Sequence, residues 1–136
     1  MAHPDPYQPN PGDTLLFENE RVRVWSMTVE GGSHGDYHSH QHDHVLIWPA
    51  EGRSKGQLLG QENPTRVQNA RPGFIAFKTV GHEHGLHPHR LHNIEGYSTT
   101  HFIVELLDPS PSAGEKEYEI NDRGEMYDES SDDAGQ

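Results

Sequence analysis

Short β-forming runs, each cut off by a turn signal before it can lengthen, fill this chain from about residue 14 to residue 107. The runs are 14–18 (TLLFE), 21–30 (RVRVWSMTVE), 45–48 (VLIW), 55–61 (KGQLLGQ), 65–69 (TRVQN), 74–77 (FIAF), 90–94 (RLHNI) and 101–107 (HFIVELL). Between them stand Asn19-Glu20, Gly31-Gly32, Glu51-Gly52, Glu62-Asn63-Pro64, Arg71-Pro72-Gly73 and Glu95-Gly96, all turn-forming pairs or triplets. No stretch repeats its apolar residues at the helical period. Many short strands at this spacing predict an all-β sandwich or barrel.

Into that frame the chain places ten of its 12 histidines in two stretches, His34–His44 and His82–His92. Alternate side chains of a strand share a face, so a fully extended 38–44 would align His38, His40, His42 and His44. Neutral imidazole is a ligand for zinc, copper, iron and nickel. A metal site is therefore expected, with a pair of histidine-rich surface loops as its plain alternative. The chain has no cysteine, so a metal would be held by nitrogen and oxygen, and disulfides and thiolate nucleophiles are excluded.

The ends differ from the middle. Residues 1–13 carry Pro4, Pro6, Pro9 and Pro11 and read as an extended arm without the charged lead and apolar block of a signal peptide. Residues 14–108 carry the fold. Residues 109–136 open with Pro109 and Pro111, turn acidic and hold few apolar residues, so a disordered tail is expected, with Glu119–Met126 the one part able to pack on a neighbour. A net charge of −12 argues against nucleic acid or an anionic membrane as partner. No apolar run is long enough to span a bilayer, and a cytoplasmic location is the expectation.

At this point the residues resemble a known family, the cupin superfamily. Its first motif runs from a glycine to His-x-His, then to a glutamate and a closing glycine. Gly32, His38-Ser39-His40 and Gly52 follow it, with His44 where the family has its glutamate. Its second motif pairs a Pro-Gly turn and strand with Gly-x-x-His-x-x-x-Asn. Pro72-Gly73 and 74–77 match the first part. Two frames compete for the last histidine. Gly81-His82-Glu83-His84 keeps Gly-x-x-His but meets Pro88 in place of asparagine, whereas His89 keeps Asn93 and opens a strand-like run. His89 is the choice, and His84 stays open as the alternative. The likeness covers about residues 20–107.

The resemblance implies an antiparallel jelly-roll β-barrel and one divalent transition metal ion (Fe, Mn, Ni, Zn or Cu) on His38, His40, His44 and His89. It implies a metal-dependent enzyme acting on a small polar organic molecule, with oxygen-using dioxygenase chemistry the leading subtype. A metal-dependent isomerase or lyase is the nearest alternative. A non-enzymatic metal- or small-ligand-binding module, or a structural module stiffened by its metal, are the others. It also implies a homodimer, with the N-terminal arm and the strands near Thr14–Val24 expected to pair across the two-fold axis.

Other residues carry weaker expectations. His42 reads as a neighbour of the site or a surface group, and His34, His82, His87 and His92 as loop or outward residues. Trp25, Tyr37, Trp48, Phe74, Phe77 and Phe102 read as core first and cavity lining second. Glu105 sits among apolar residues on the final strand, where an inward carboxylate needs a partner. Asn93 closes a turn or orients a ligand, Arg71 is a solvated turn residue or an acid-binding group, and Glu83 is exposed unless its loop covers the barrel mouth.

Overall fold

The computed structural model describes residues 10–129. Its strands are β1 (Thr14–Glu18), β2 (Val22–Val29), β3 (His44–Trp48), β4 (Gly52–Leu58), β5 (Arg66–Ala70), β6 (Phe74–Lys78), β7 (His89–Asn93), β8 (Thr99–Leu106), β9 (Glu119–Ile120) and β10 (Gly124–Asp128). There is no helix among the described residues, and so none long and apolar enough to cross a membrane. The strands form a six-stranded sheet, β1-β2-β8-β3-β6-β9, and a four-stranded sheet, β10-β5-β4-β7. All pairings within them are antiparallel. The two sheets make a jelly roll, with separate hydrogen-bond ladders and a shared interior.

Strand alternation sets what faces inward. β8 alternates strictly, with Thr99, His101, Ile103 and Glu105 buried and their neighbours half-buried. β3 buries His44, Leu46 and Trp48, and β6 buries Phe74, Ala76 and Lys78. Trp25, Met27, Leu46, Trp48, Phe74, Ala76 and Ile103 form the core, and Trp48 and Phe74 are fully buried. Burying a side chain such as Phe74 contributes about 2–3 kcal/mol. The antiparallel register lines up four inward residues in one row: Arg23, Glu105, His44 and Lys78. Glu105 therefore points inward and has the partners an inward carboxylate needs. It is buried and accepts a 2.7 Å hydrogen bond from Trp25 Nε1, with Arg23 Nη1 at 3.8 Å.

The chain departs from expectation at two places. His38 to His44 is not one continuous strand. His38 pairs with His89 and His34 with His92 as isolated bridges on the edge of β7, so this stretch belongs to the four-stranded sheet. The chain then bends at 41–43 and enters the six-stranded sheet as β3. The crossing ends the simple alternation, and His42 is half-buried, outside the face of His40 and His44. Asp43 fastens the crossing by accepting hydrogen bonds from the amides of Val80 (2.8 Å) and Gly81 (3.1 Å). Burial pushes the Asp43 carboxyl up, but its bonds from Ser110, Gly81 and Val80 outweigh this and hold it below the usual range.

The second departure is the acidic segment after Asp108. Where the sequence predicts a tail without structure, β10 continues the four-stranded sheet along β5, from Gly124 opposite Ala70 to Asp128 opposite Arg66. β9 adds to β6 on the other sheet. Backbone pairing with two open strand edges needs no apolar side-chain pattern, and Tyr118 and Met126 supply packing against the core. The approach is close at Gly81 (φ +95°), where a Cβ would stand 2.7 Å from the backbone of Gly114. Residues 1–9 of the expected arm and 130–136 of the expected tail lie outside the described residues.

Candidate metal centre

Three histidines from two separate pieces of backbone, 38–40 and the start of β7, meet inside the fold. His38, His40 and His89 each bring one ring nitrogen to within 4.8 Å of the others. The bridge between His38 and His89 fixes two of them, with His38 N to His89 O and His89 N to His38 O both at 2.9 Å. His40 is held by Leu86 N donating to its carbonyl at 2.9 Å. The ring centroids of His38 and His89 are 4.7 Å apart, those of His38 and His40 5.2 Å, and those of His40 and His89 5.1 Å.

His44 stands beside this group. Its ring stacks on His40 with centroids 4.0 Å apart and planes 14° from parallel. It does not join the three-nitrogen cluster. The enlarged loop before β7 carries His84 and Glu83 outward as exposed residues, so the structure brings His89 and not His84 to the others.

Hydrogen bonds determine which nitrogens are free. His38 Nδ1 lies 3.1 Å from the carbonyl of Asp36, His44 Nδ1 2.8 Å from that of His42, and His89 Nδ1 3.2 Å from that of His87. A carbonyl only accepts, so each Nδ1 carries the proton and each Nε2 keeps its lone pair. This backbone clamp on the remote nitrogen is the usual way a ligand imidazole is oriented. His40 Nδ1 is buried with no hydrogen-bond partner. An orphaned nitrogen inside a cluster of lone pairs fits a cation and is otherwise costly.

Burial also fixes the charge state. It pushes His38 and His44 down to about 4 and His89 to about 3, and it holds His40 well below the ordinary imidazole value. All four are neutral at pH 7, as ligation requires. The residues present therefore fit a divalent first-row ion.

The cluster opens onto a cavity of about 360 Å³ between the sheets, within the size range of small-molecule sites. His101 lies on its wall, stacked on Trp48 at 4.5 Å, with its Nδ1 buried and unpartnered. Burial pushes it down to about 4. Reading 101–107 only as an apolar strand overlooked His101, although it shares parity with Ile103. Lys78 and Tyr118 were missed as well, and both line the cavity.

The remaining candidates fall to structural roles. Trp25, Trp48 and Phe74 are core, and Phe77 and Phe102 are half-buried on the outward faces of their strands. Tyr37 packs under the Arg90 guanidinium at 4.5 Å. Asn93 closes a turn: its amide donates to Val29 O and Tyr97 O, and its Oδ1 accepts from Glu95 N. Arg71 is an exposed turn residue bonded to Asp122 O. His34 and His92 face each other with centroids 5.1 Å apart, His82 Nδ1 lies against Ser110 O, and His87 Nε2 against Leu59 O.

The architecture is similar to the crystal structure of a cupin domain from Bordetella pertussis Tohama I. The likeness has a TM-score of 0.54 at 17% sequence identity, over 73% of this chain and 95% of that one. No family model matches the sequence. No curated protein matches it either. At that identity the likeness shows the fold, which is the cupin fold expected from the two motifs.

Proposed function

We propose that the protein is a metal-dependent cupin enzyme that takes up a small polar organic molecule and uses oxygen as co-substrate. The observation that carries the reading is the convergence of His38, His40 and His89 at the wall of a cavity large enough for a small molecule. Three neutral imidazoles, with His44 adjacent as a fourth, would hold one divalent ion, Fe, Mn, Ni, Zn or Cu. When bound, such an ion supplies Lewis acidity and, for a redox-active metal, a route to dioxygen. Sites with three protein ligands keep positions open for substrate or water, whereas a closed structural site fills them.

The chain's own residues prepare that site. Backbone carbonyls at Asp36, His42 and His87 hold the imidazole rings in one tautomer. Met27, Leu46 and Ile103 give the cavity an apolar wall, and His101 lines it backed by the stacked Trp48 ring. Protein purified with its native metal is expected to contain one ion per chain by elemental analysis. Reconstituted with iron, it is expected to consume oxygen when screened against small organic acids and alcohols. Full metal occupancy without oxygen uptake on any of them would turn the reading to isomerase, lyase or binding chemistry.

The proposal includes a homodimer. β1 is an edge strand with Leu15, Leu16 and Phe17 all exposed, which a second copy of the strand would cover. Leu16→Lys with Phe17→Lys is expected to convert a dimer to a monomer in light scattering. A parent protein that is already monomeric at micromolar concentration would reject the dimer.

A further inference from the structure

Lys78 is the one lysine buried among the described residues, and it lines the cavity. Register places it directly opposite His44 on the neighbouring strand, so its stem starts beside the histidine cluster. Its ammonium donates to the carbonyl of Lys116 at 2.7 Å and lies 2.8 Å from Glu115 Oε2. The Tyr118 ring is 4.6 Å from it, and the Arg66 guanidinium lies 5.7 Å from the same ring. The charge of Lys78 also contributes to holding His44 and His89 low, which puts it in electrostatic reach of both.

A buried ammonium costs several kcal/mol of lost hydration unless an anion compensates it. Leucine or methionine at the same inward position would avoid that cost. The compensating carboxylate comes from Glu115, whose side chain is 59% exposed and which belongs to neither sheet. The Glu115 carboxylate is thus a largely solvent-exposed counter-ion that can turn into water and be hydrated there, which leaves the Lys78 ammonium to another carboxylate inside the cavity. Glu117 and Asp128 also line the cavity, so a doubly charged anion would meet more repulsion than a single carboxylate.

We propose that Lys78 anchors a carboxylate subsite inside the cavity, and that the small molecule taken up beside the histidines carries a carboxylate that replaces Glu115 on the Lys78 ammonium. The inference rests on the proposed function for its second half, because it names the substrate class of that site.

The test measures binding of propionate, succinate and benzoate by calorimetry to metal-depleted full-length protein at pH 7.5, where no metal competes for the anion. At least one carboxylate is expected to bind, and neutral propionamide and inorganic phosphate are expected to bind at least tenfold more weakly. Lys78→Met should weaken that binding at least tenfold, and Lys78→Arg should restore most of it. Glu115→Gln should tighten it severalfold by removing the competing carboxylate. Each variant is checked for a β-type far-ultraviolet spectrum and for metal uptake, which none of the three substitutions should abolish. If no carboxylate binds the parent, or if Glu115→Gln binds no more tightly, Lys78 is only a tether for the C-terminal segment and the subsite is wrong. Metal uptake by the same samples reports separately on the histidine centre, so that reading stands or falls independently.

Discussion

Replacing His40 by alanine is expected to leave the purified protein with less than about a tenth of an ion per chain, because a ligand loss costs more than the ~10–100-fold of losing an outer partner. His40 is chosen because its ring is the middle of the cluster. It lies 5.1 Å from His89, 5.2 Å from His38 and 4.0 Å from His44. Its buried Nδ1 has no hydrogen-bond partner to lose. His38→Ala and His89→Ala should behave alike, each removing one of the three convergent nitrogens. His44→Ala should weaken binding by about 10–100-fold and keep a three-ligand site. His84→Ala and His82→Ala should change nothing, since both rings are exposed. Elemental analysis after dialysis against a weak chelator reads all six. A site emptied by His84→Ala and left full by His89→Ala would reverse the assignment.

The metal-free protein is expected to unfold on mild acidification, several tenths of a pH unit to one unit below pH 6.5, while the metal-loaded protein persists to lower pH. Five buried histidines carry the effect: His38, His44 and His101 pushed down to about 4, His89 to about 3, and His40 well below its ordinary value. In the unfolded chain each returns to about 6.5. Between the two values the unfolded state binds more protons, so stability falls as pH falls and is fully present above the unfolded value. At pH 5.5 each group removes on the order of 1 kcal/mol, and together roughly 5–7 kcal/mol, which matches the whole stability of many domains. Bound metal opposes this by binding only the folded state. Denaturant midpoints from pH 7.5 to 5.0, with and without chelator, check the result. A chelated protein equally stable at both ends of that range would show that these imidazoles are not held neutral by burial.

Strand positions were legible wherever a β-forming run stands between turn signals. In 22–29 the apolar parity of Trp25, Met27 and Val29 is that of the core. In 99–106 the buried face holds Thr99, His101, Ile103 and Glu105 while Phe102, Val104 and Leu106 are half-buried, so apolar parity alone does not choose the face there. His38 and His40 were paired by their spacing, whereas His89 followed only from choosing between two motif frames, because the loop before β7 carries several histidines. His44 was harder. Its parity with His40 implied a common strand, but the chain changes sheets at 41–43, which leaves the two rings stacked. No local pattern announces that crossing. It depends on Asp43 reaching the amides of Val80 and Gly81, far along the chain. β9 and β10 were hidden for a related reason. Most of their residues are exposed, and what fixes them is backbone pairing with β6 and β5. Lys78 stands just past the apolar run at 74–77 and drew no reading, and it is its shared parity with the buried Phe74 and Ala76 that turns it inward.

The segment from Glu115 to Asp128 also imposes an order on biosynthesis. The three clustered histidines lie at or before residue 89, and the strands that hold them are complete once Leu106 has been added. The roof of the cavity, with Tyr118 and Met126, comes later along the chain. A chain emerging at about 5–20 residues per second exposes its earlier part for roughly a second or more before this roof follows. During that interval the imidazoles are open to the surrounding medium. An ion bound by these imidazoles at that stage would be selected by what is free around the chain, before the finished cavity could discriminate.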